Sequence, residues 1–229
     1  MQQRTPATIS LALILALTLA AFGVATAQGA TGGTVMVTIE NTSPTSISPP
    51  VLIAHGSEFA LFTLFEPASP ELALMAEDGV PDDLAAVARI GSGVTAVVVS
   101  DGGVPSGESV TLSIDVGDAA YLTWTGMLTT SNDAFVVWTY PLKGDDMSMM
   151  DMGGPAFADG VVRVFDAGTE ANTELCEHVP GVPCGNKFVR ATEGAEGFVT
   201  LHGGILGVGD LDPSVWDWRH PVAVVTVAH

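Results

Sequence analysis

Thr34-Val-Met-Val-Thr-Ile-Glu40 places Val35, Val37 and Ile39 on alternate positions. Alternation with period two marks a strand with one face buried. Similar runs recur at 94–100, 109–116, 120–128, 134–140, 160–165, 197–202 and 222–228. Turn residues separate many of them, as in Asp101-Gly102-Gly103 and Pro105-Ser106-Gly107. Short strands punctuated by Gly and Pro predict a mainly β protein, an antiparallel β-sandwich or barrel. One stretch departs from this pattern. Ser69-Pro70-Glu71 opens a run to Glu77 with a capping Ser, Pro at the first helical position and an early acid. Pro81–Arg89 has the same style, so two short helices are expected between strands. Ala60–Phe65 fits either a helical turn or a buried strand.

The N-terminus reads differently. Arg4 precedes a nearly continuous apolar run from Ile9 to Val24, and Ala25-Thr26-Ala27 follows as a small-residue cleavage site. This is the layout of a secretory signal peptide over residues 1–27, with Gln28 first in the mature chain. A retained anchor helix fits less well, because the run is short for a bilayer span. No other stretch is apolar enough to span, so no membrane insertion is expected after cleavage. A secreted or periplasmic protein follows, with one domain over residues 34–229 and no internal repeat.

Cys176 and Cys184 are the only cysteines. In an oxidising compartment a pair so spaced is expected to form a disulfide, since Pro and Gly between them let the chain turn back. The spacing does not match C-x-x-C redox or zinc motifs.

Composition narrows function. The chain has 7 Lys plus Arg against 26 Asp plus Glu, a net charge of −19. Phosphate recognition rests on Lys and Arg, so nucleic acid and anionic lipid are poor partners. The charge instead favours bound cations. No G-x-S-x-G, H-E-x-x-H, Walker A or G-x-G-x-x-G motif occurs, so no enzyme activity is expected. Gly207-Val-Gly209-Asp210 resembles half a nucleotide loop, but Asp210 would repel phosphate and a tight turn is expected. A hydrolase with a dispersed triad is a third reading, because triad members can lie far apart in the chain. Met147, Met149, Met150 and Met152 are soft ligands suited to Cu(I), so a periplasmic copper-handling protein is the alternative. They are expected on a projecting loop. His55 and His202 each end an apolar run and can lie side by side.

Acids offer a further candidate. Asp133 opens a predicted strand, and Asp166 ends another just before Gly168, with Glu170 and Glu174 following in the same loop. A turn at Gly168 lets Asp166 and Glu170 aim at one point, and Asp133 can complete the cluster. Converging carboxylates need a cation, and Ca²⁺ accepts oxygen ligands in flexible geometry. On spacing alone, solvated loop charge explains these acids better than a metal site does.

Several runs read together resemble the spondin N-terminal domain family. They include Val37–Asn41, Ser48-Pro-Pro50, Glu66–Ser69, Ala76–Gly79, Ser131–Val136, Asp166–Cys176, Glu196–Val199, His202–Ile205, Gly209–Leu211 and Asp217–Val222. They span the mature chain in order; Asp166-Ala-Gly-Thr-Glu170 and Asn132-Asp-Ala-Phe135 are the specific ones. The resemblance implies a C2-like antiparallel sandwich of spondin type that binds Ca²⁺ and serves as an extracellular or cell-surface binding or adhesion module. It implies Asp133, Asp166 and Glu170 as metal ligands; Glu174, one further turn along the same loop, is placed by its position as an outer acid. Glu170 stands where animal members have Asp, and Ala134 where they have Trp. The expected partner is a protein or glycan; its identity and the oligomeric state are not encoded in these motifs.

Overall fold

The computed structural model describes residues 32–142, 157, 159–218 and 221–229. Residues 1–27, where a signal peptide is expected, and the methionines 147–152 lie outside the described residues. Nine strands and three short α-helices are present among the described residues. β1 (Thr34–Asn41), β4 (Ser109–Asp115) and β9 (Ala223–Ala228) form one sheet in the order β4-β1-β9. The other holds β2 (Val51–His55), β3 (Val94–Val99), β5 (Tyr121–Met127), β6 (Ala134–Pro141), β7 (Arg163–Asp166) and β8 (Thr200–Leu201), in the order β3-β2-β5-β6-β7-β8. Every pairing is antiparallel. The chain is an antiparallel β-sandwich with short inserted helices.

The inner faces of the two sheets meet in one large core that includes Val37, Ile39, Leu52, Leu122, Trp124, Val136 and Val164. The other face of the six-stranded sheet is also covered. α1 (Pro70–Asp78) and the segment around Leu61, Phe62 and Leu64 pack on Met127, Phe135, Val137 and Phe165. α2 (Asp82–Arg89) places Ala85 and Ala88 on Val51 and Ile53. β2, β5 and β6 are therefore buried on both faces.

That double burial explains the strand the hydrophobic pattern does not reveal. Val51-Leu-Ile-Ala-His55 has no polar alternation because all five residues are buried. The run expected over 197–202 contracts to Thr200–Leu201. Its peptide groups go to three different partners: Gly197 N donates to Gly168 O, Phe65 N to Val199 O, and His202 N to Val164 O. The run at 160–165 begins pairing only at Arg163, since Gly160 N donates to Thr139 O and Val161 N to Asp159 Oδ1. Segment 60–65 is neither helix nor strand.

α1 forms as its sequence predicts. Ser69 Oγ accepts from Leu72 N at 3.2 Å, Pro70 starts the helix, and Gly79 ends it with φ 67°. Cys176 and Cys184 are bridged, with Cα atoms 4.8 Å apart. Their loop docks on the turn before Asp133: Gly181 N donates to Thr129 O at 2.7 Å and Thr130 Oγ1 to Val182 O at 2.7 Å. No helix among the described residues is long and apolar enough to cross a membrane.

Candidate metal centre

Asp133 and Asp166 lie where β6 begins and β7 ends, because antiparallel pairing sets Ala134 opposite Asp166 and brings Ala167 N to Asp133 O at 3.2 Å. The turn after β7 is built around Asp166. Its Oδ1 accepts from Gly168 N at 2.7 Å, and Gly168 takes φ 68°. A Cβ at Gly168 would meet Phe198 O at 2.2 Å, so both conformation and space require glycine. This turn sends residues 169 and 170 back over β6. Thr169 N (2.8 Å), Thr169 Oγ1 (3.2 Å) and Glu170 N (3.0 Å) all donate to Asp133 Oδ2.

Asp133 is fully buried, and its second oxygen, Oδ1, has no hydrogen-bond partner. The other two such atoms among the described residues, Trp124 Nε1 and Thr125 Oγ1, belong to neutral groups. Burial and the neighbouring Asp166 charge push the Asp133 carboxyl up to about 8, against the pull of its N–H donors. Burial also raises Asp166, opposed by its bonds from Asn172 and Gly168 and by the Asp133 carboxyl beside it. The Asp166 charge disfavours ionisation of Asp133, whose Oδ1 lacks a donor, and such a buried site is short of positive charge.

The structure brings Asp133 and Asp166 together and holds Glu170 to one side. Glu170 is buried, and its Oε1 accepts from Ala191 N at 2.8 Å. Burial pushes its carboxyl up to about 7; Glu77 and Asp78 add to the rise, while Ala191 N–H and Arg190 oppose it. Its charge is still felt at Asp133. Among the described residues, no three Asp, Glu, His or Cys side chains already converge as a metal cluster.

Glu174 faces away from this pair. Its carboxylate accepts from Leu206 N (2.5 Å), Gly207 N (2.7 Å) and Val208 N (2.8 Å). The Gly207-Val-Gly209 turn is thus an amide nest filled by a side chain of the same protein. Asn132 Oδ1 accepts from Glu174 N at 3.0 Å, which ties this loop to the residue beside Asp133.

Two supporting groups were not assigned to the site by the sequence. Asn172 Nδ2 donates to Asp166 Oδ2 at 2.5 Å, and His202 Nε2 meets Asn172 Oδ1 at 3.0 Å. Gly204 N donates to His202 Nδ1 at 3.0 Å, so Nδ1 accepts and the proton sits on Nε2. Burial pulls His202 down to about 4, which keeps it neutral. Arg190 bonds Glu77 through Nε and Asp78 Oδ2 at 3.0 Å, strapping residues 188–191 to the end of α1 behind Glu170. A rare arginine in so acidic a chain was the available signal for that strap.

His55 lies in a separate network and does not meet His202. Its Nδ1 donates to Gly56 O at 2.7 Å, and Nε2 accepts from Thr123 Oγ1 at 2.8 Å, with Thr139 Oγ1 2.9 Å further on. Both nitrogens are occupied, and burial lowers its affinity for protons.

No family model matches the chain, and no curated protein matches it.

Proposed function

We propose that this protein is an exported, non-enzymatic β-sandwich module of spondin type that binds Ca²⁺ and acts in extracellular or cell-surface binding or adhesion. The observation that carries this reading is Asp133 Oδ1, a buried carboxylate oxygen without a donor beside a second buried carboxylate. A cation supplies the positive charge that this arrangement lacks.

The donor set favours a hard cation. Asp133 and Asp166 offer oxygen, and both nitrogens of His202, which is linked to Asp166 through Asn172, are already spent. Glu170 is the third ligand in this reading, moving from Ala191 N to the ion. Glu170→Gln should therefore weaken binding less than Asp133→Asn. The ion would draw the strand ends of β6 and β7 and the 166–174 loop into one rigid unit. Export follows from the N-terminal pattern, and the disulfide is compatible with an oxidising compartment.

Calorimetric titration with CaCl₂ tests the reading. The parent protein should take up one ion, with a Kd of about 0.1–1 mM or tighter, as extracellular modules do. Asp133→Asn should lose that uptake yet remain folded in chelator, because it also removes a buried charge. A parent protein that takes up no calcium contradicts the proposal.

A further inference from the structure

The two sheets differ in width, three strands against six. On one side β3 and β4 approach each other and close the sandwich. On the other side β9 stops short, and the inner face of β7 and β8 continues past it. The step leaves a cleft of about 720 Å³ walled by Trp138, Val162, Val164, Leu201, Ala223 and Val225.

The edge of β9 above that cleft is unpaired among the described residues. Thr42 N donates to Val222 O at 3.0 Å, and the register continues with Glu40 opposite Val224 and Thr38 opposite Thr226. Antiparallel alternation therefore turns the peptide groups of Val224, Thr226 and Ala228 toward β1. Those of Ala223, Val225 and Val227 face outward. Natural edges are blunted by charge, proline or a bulge. Ala223-Val-Val-Thr-Val-Ala228 has no charged residue or proline, and its register with β1 is unbroken.

We propose that this edge receives an extended strand from another protein. The strand pairs with Ala223–Val227 and lays alternate apolar side chains into the cleft, completing the narrower sheet. Polar side chains of the cleft are already committed: Trp138 Nε1 donates to Gly160 O at 3.0 Å, Arg163 pairs through both terminal nitrogens with Asp159 at 2.6–2.7 Å, and His202 is held as described. The outward peptide groups of β9 are thus the polar features that select an occupant, and they suit another backbone. Charge selects the flanks. With −19 on this chain, a second copy brings like charge, whereas a strand bordered by Lys or Arg is attracted.

The test uses a short synthetic peptide alternating Val and Thr between lysine pairs, and the same peptide with glutamate pairs. Amide exchange is followed by NMR. In the free monomer the Ala223, Val225 and Val227 amides should exchange fast, and saturating lysine-flanked peptide should slow them by about tenfold or more. Val225→Pro removes one outward N–H and no bond to β1, and should weaken binding about tenfold. Because Val225 also packs in the cleft, Leu201→Asp, at a residue 59% exposed, is the second variant and should weaken binding without unfolding. The proposal is overturned if the three amides are already slow in the free monomer, which means that the chain covers its own edge. It is also overturned if protection grows with protein concentration alone, if peptide gives no protection, or if the glutamate-flanked peptide binds equally well.

Discussion

His202 fixes the orientation of Asn172. Its Nε2–H donates to Asn172 Oδ1 at 3.0 Å, and this turns the amide nitrogen of Asn172 onto Asp166 Oδ2 at 2.5 Å. One carboxylate of the proposed calcium site is thus held by a neutral histidine two bonds away. His202→Ala should cost about 1 kcal/mol of stability in chelator, since it removes the partner of a half-buried amide oxygen. Chemical denaturation checks this. Calcium affinity should fall in the same variant, because Asn172 is free to rotate.

Stability without calcium should depend on pH in a defined sense. Asp133 and Glu170 are raised to about 8 and about 7, so the folded protein holds more protons than the unfolded chain above the usual carboxylate range. Stability therefore falls as pH rises through these values. His202 and His55 act oppositely, but only below about 6.5, the ordinary histidine value. Between pH 6.5 and 8.5 the carboxylates dominate, and the melting temperature in chelator should drop. Saturating calcium should flatten the slope, because the ion replaces the missing protons.

Glu174 and Asp166 should behave differently although both are buried acids of one loop. Glu174→Ala leaves three backbone N–H groups without their acceptor and should cost about 3 kcal/mol. Calcium stoichiometry in that variant should stay at the parent value. Asp166→Asn should show the reverse, with calcium response lost and a smaller cost in chelator. Paired denaturation and calcium titrations separate the two.

Reducing the Cys176–Cys184 bridge should lower stability by roughly 2–3 kcal/mol, the value for a loop this short. The loop packs on Thr129 and Thr130, so reduction should also weaken calcium binding at Asp133. Titration in the presence of reductant measures both effects.

The sandwich was legible in the sequence wherever one strand face meets solvent. β1 and β4 alternate cleanly because the outward faces of these strands are exposed. β2 escaped notice because α2 covers its second face and leaves no polar position to mark a period. Asp133 and Asp166 were legible as acids flanking strand ends, and strand pairing does bring them together. Spacing could not show that Glu170 would turn its carboxyl to Ala191 N. That bond depends on residues 188–191 being strapped to α1 by Arg190, far away in the chain. Asn172 and His202 lay within the quoted runs, but their pairing could not be read there, since it arises only when β8 lies beside β7.

In the proposed function, calcium completes the Asp133–Asp166 pair. The most direct measurement is the melting temperature at pH 8 of unmutated protein, in excess chelator and in millimolar CaCl₂. The ion binds only the folded arrangement, so 1 mM calcium over a Kd of about 0.1 mM should add about 1.4 kcal/mol and raise the midpoint by a few degrees. Asp166→Asn should show no such rise. Identical melting curves in chelator and calcium, with no calcium retained by the purified protein, would contradict the account and leave the pair as protonated structural carboxyls.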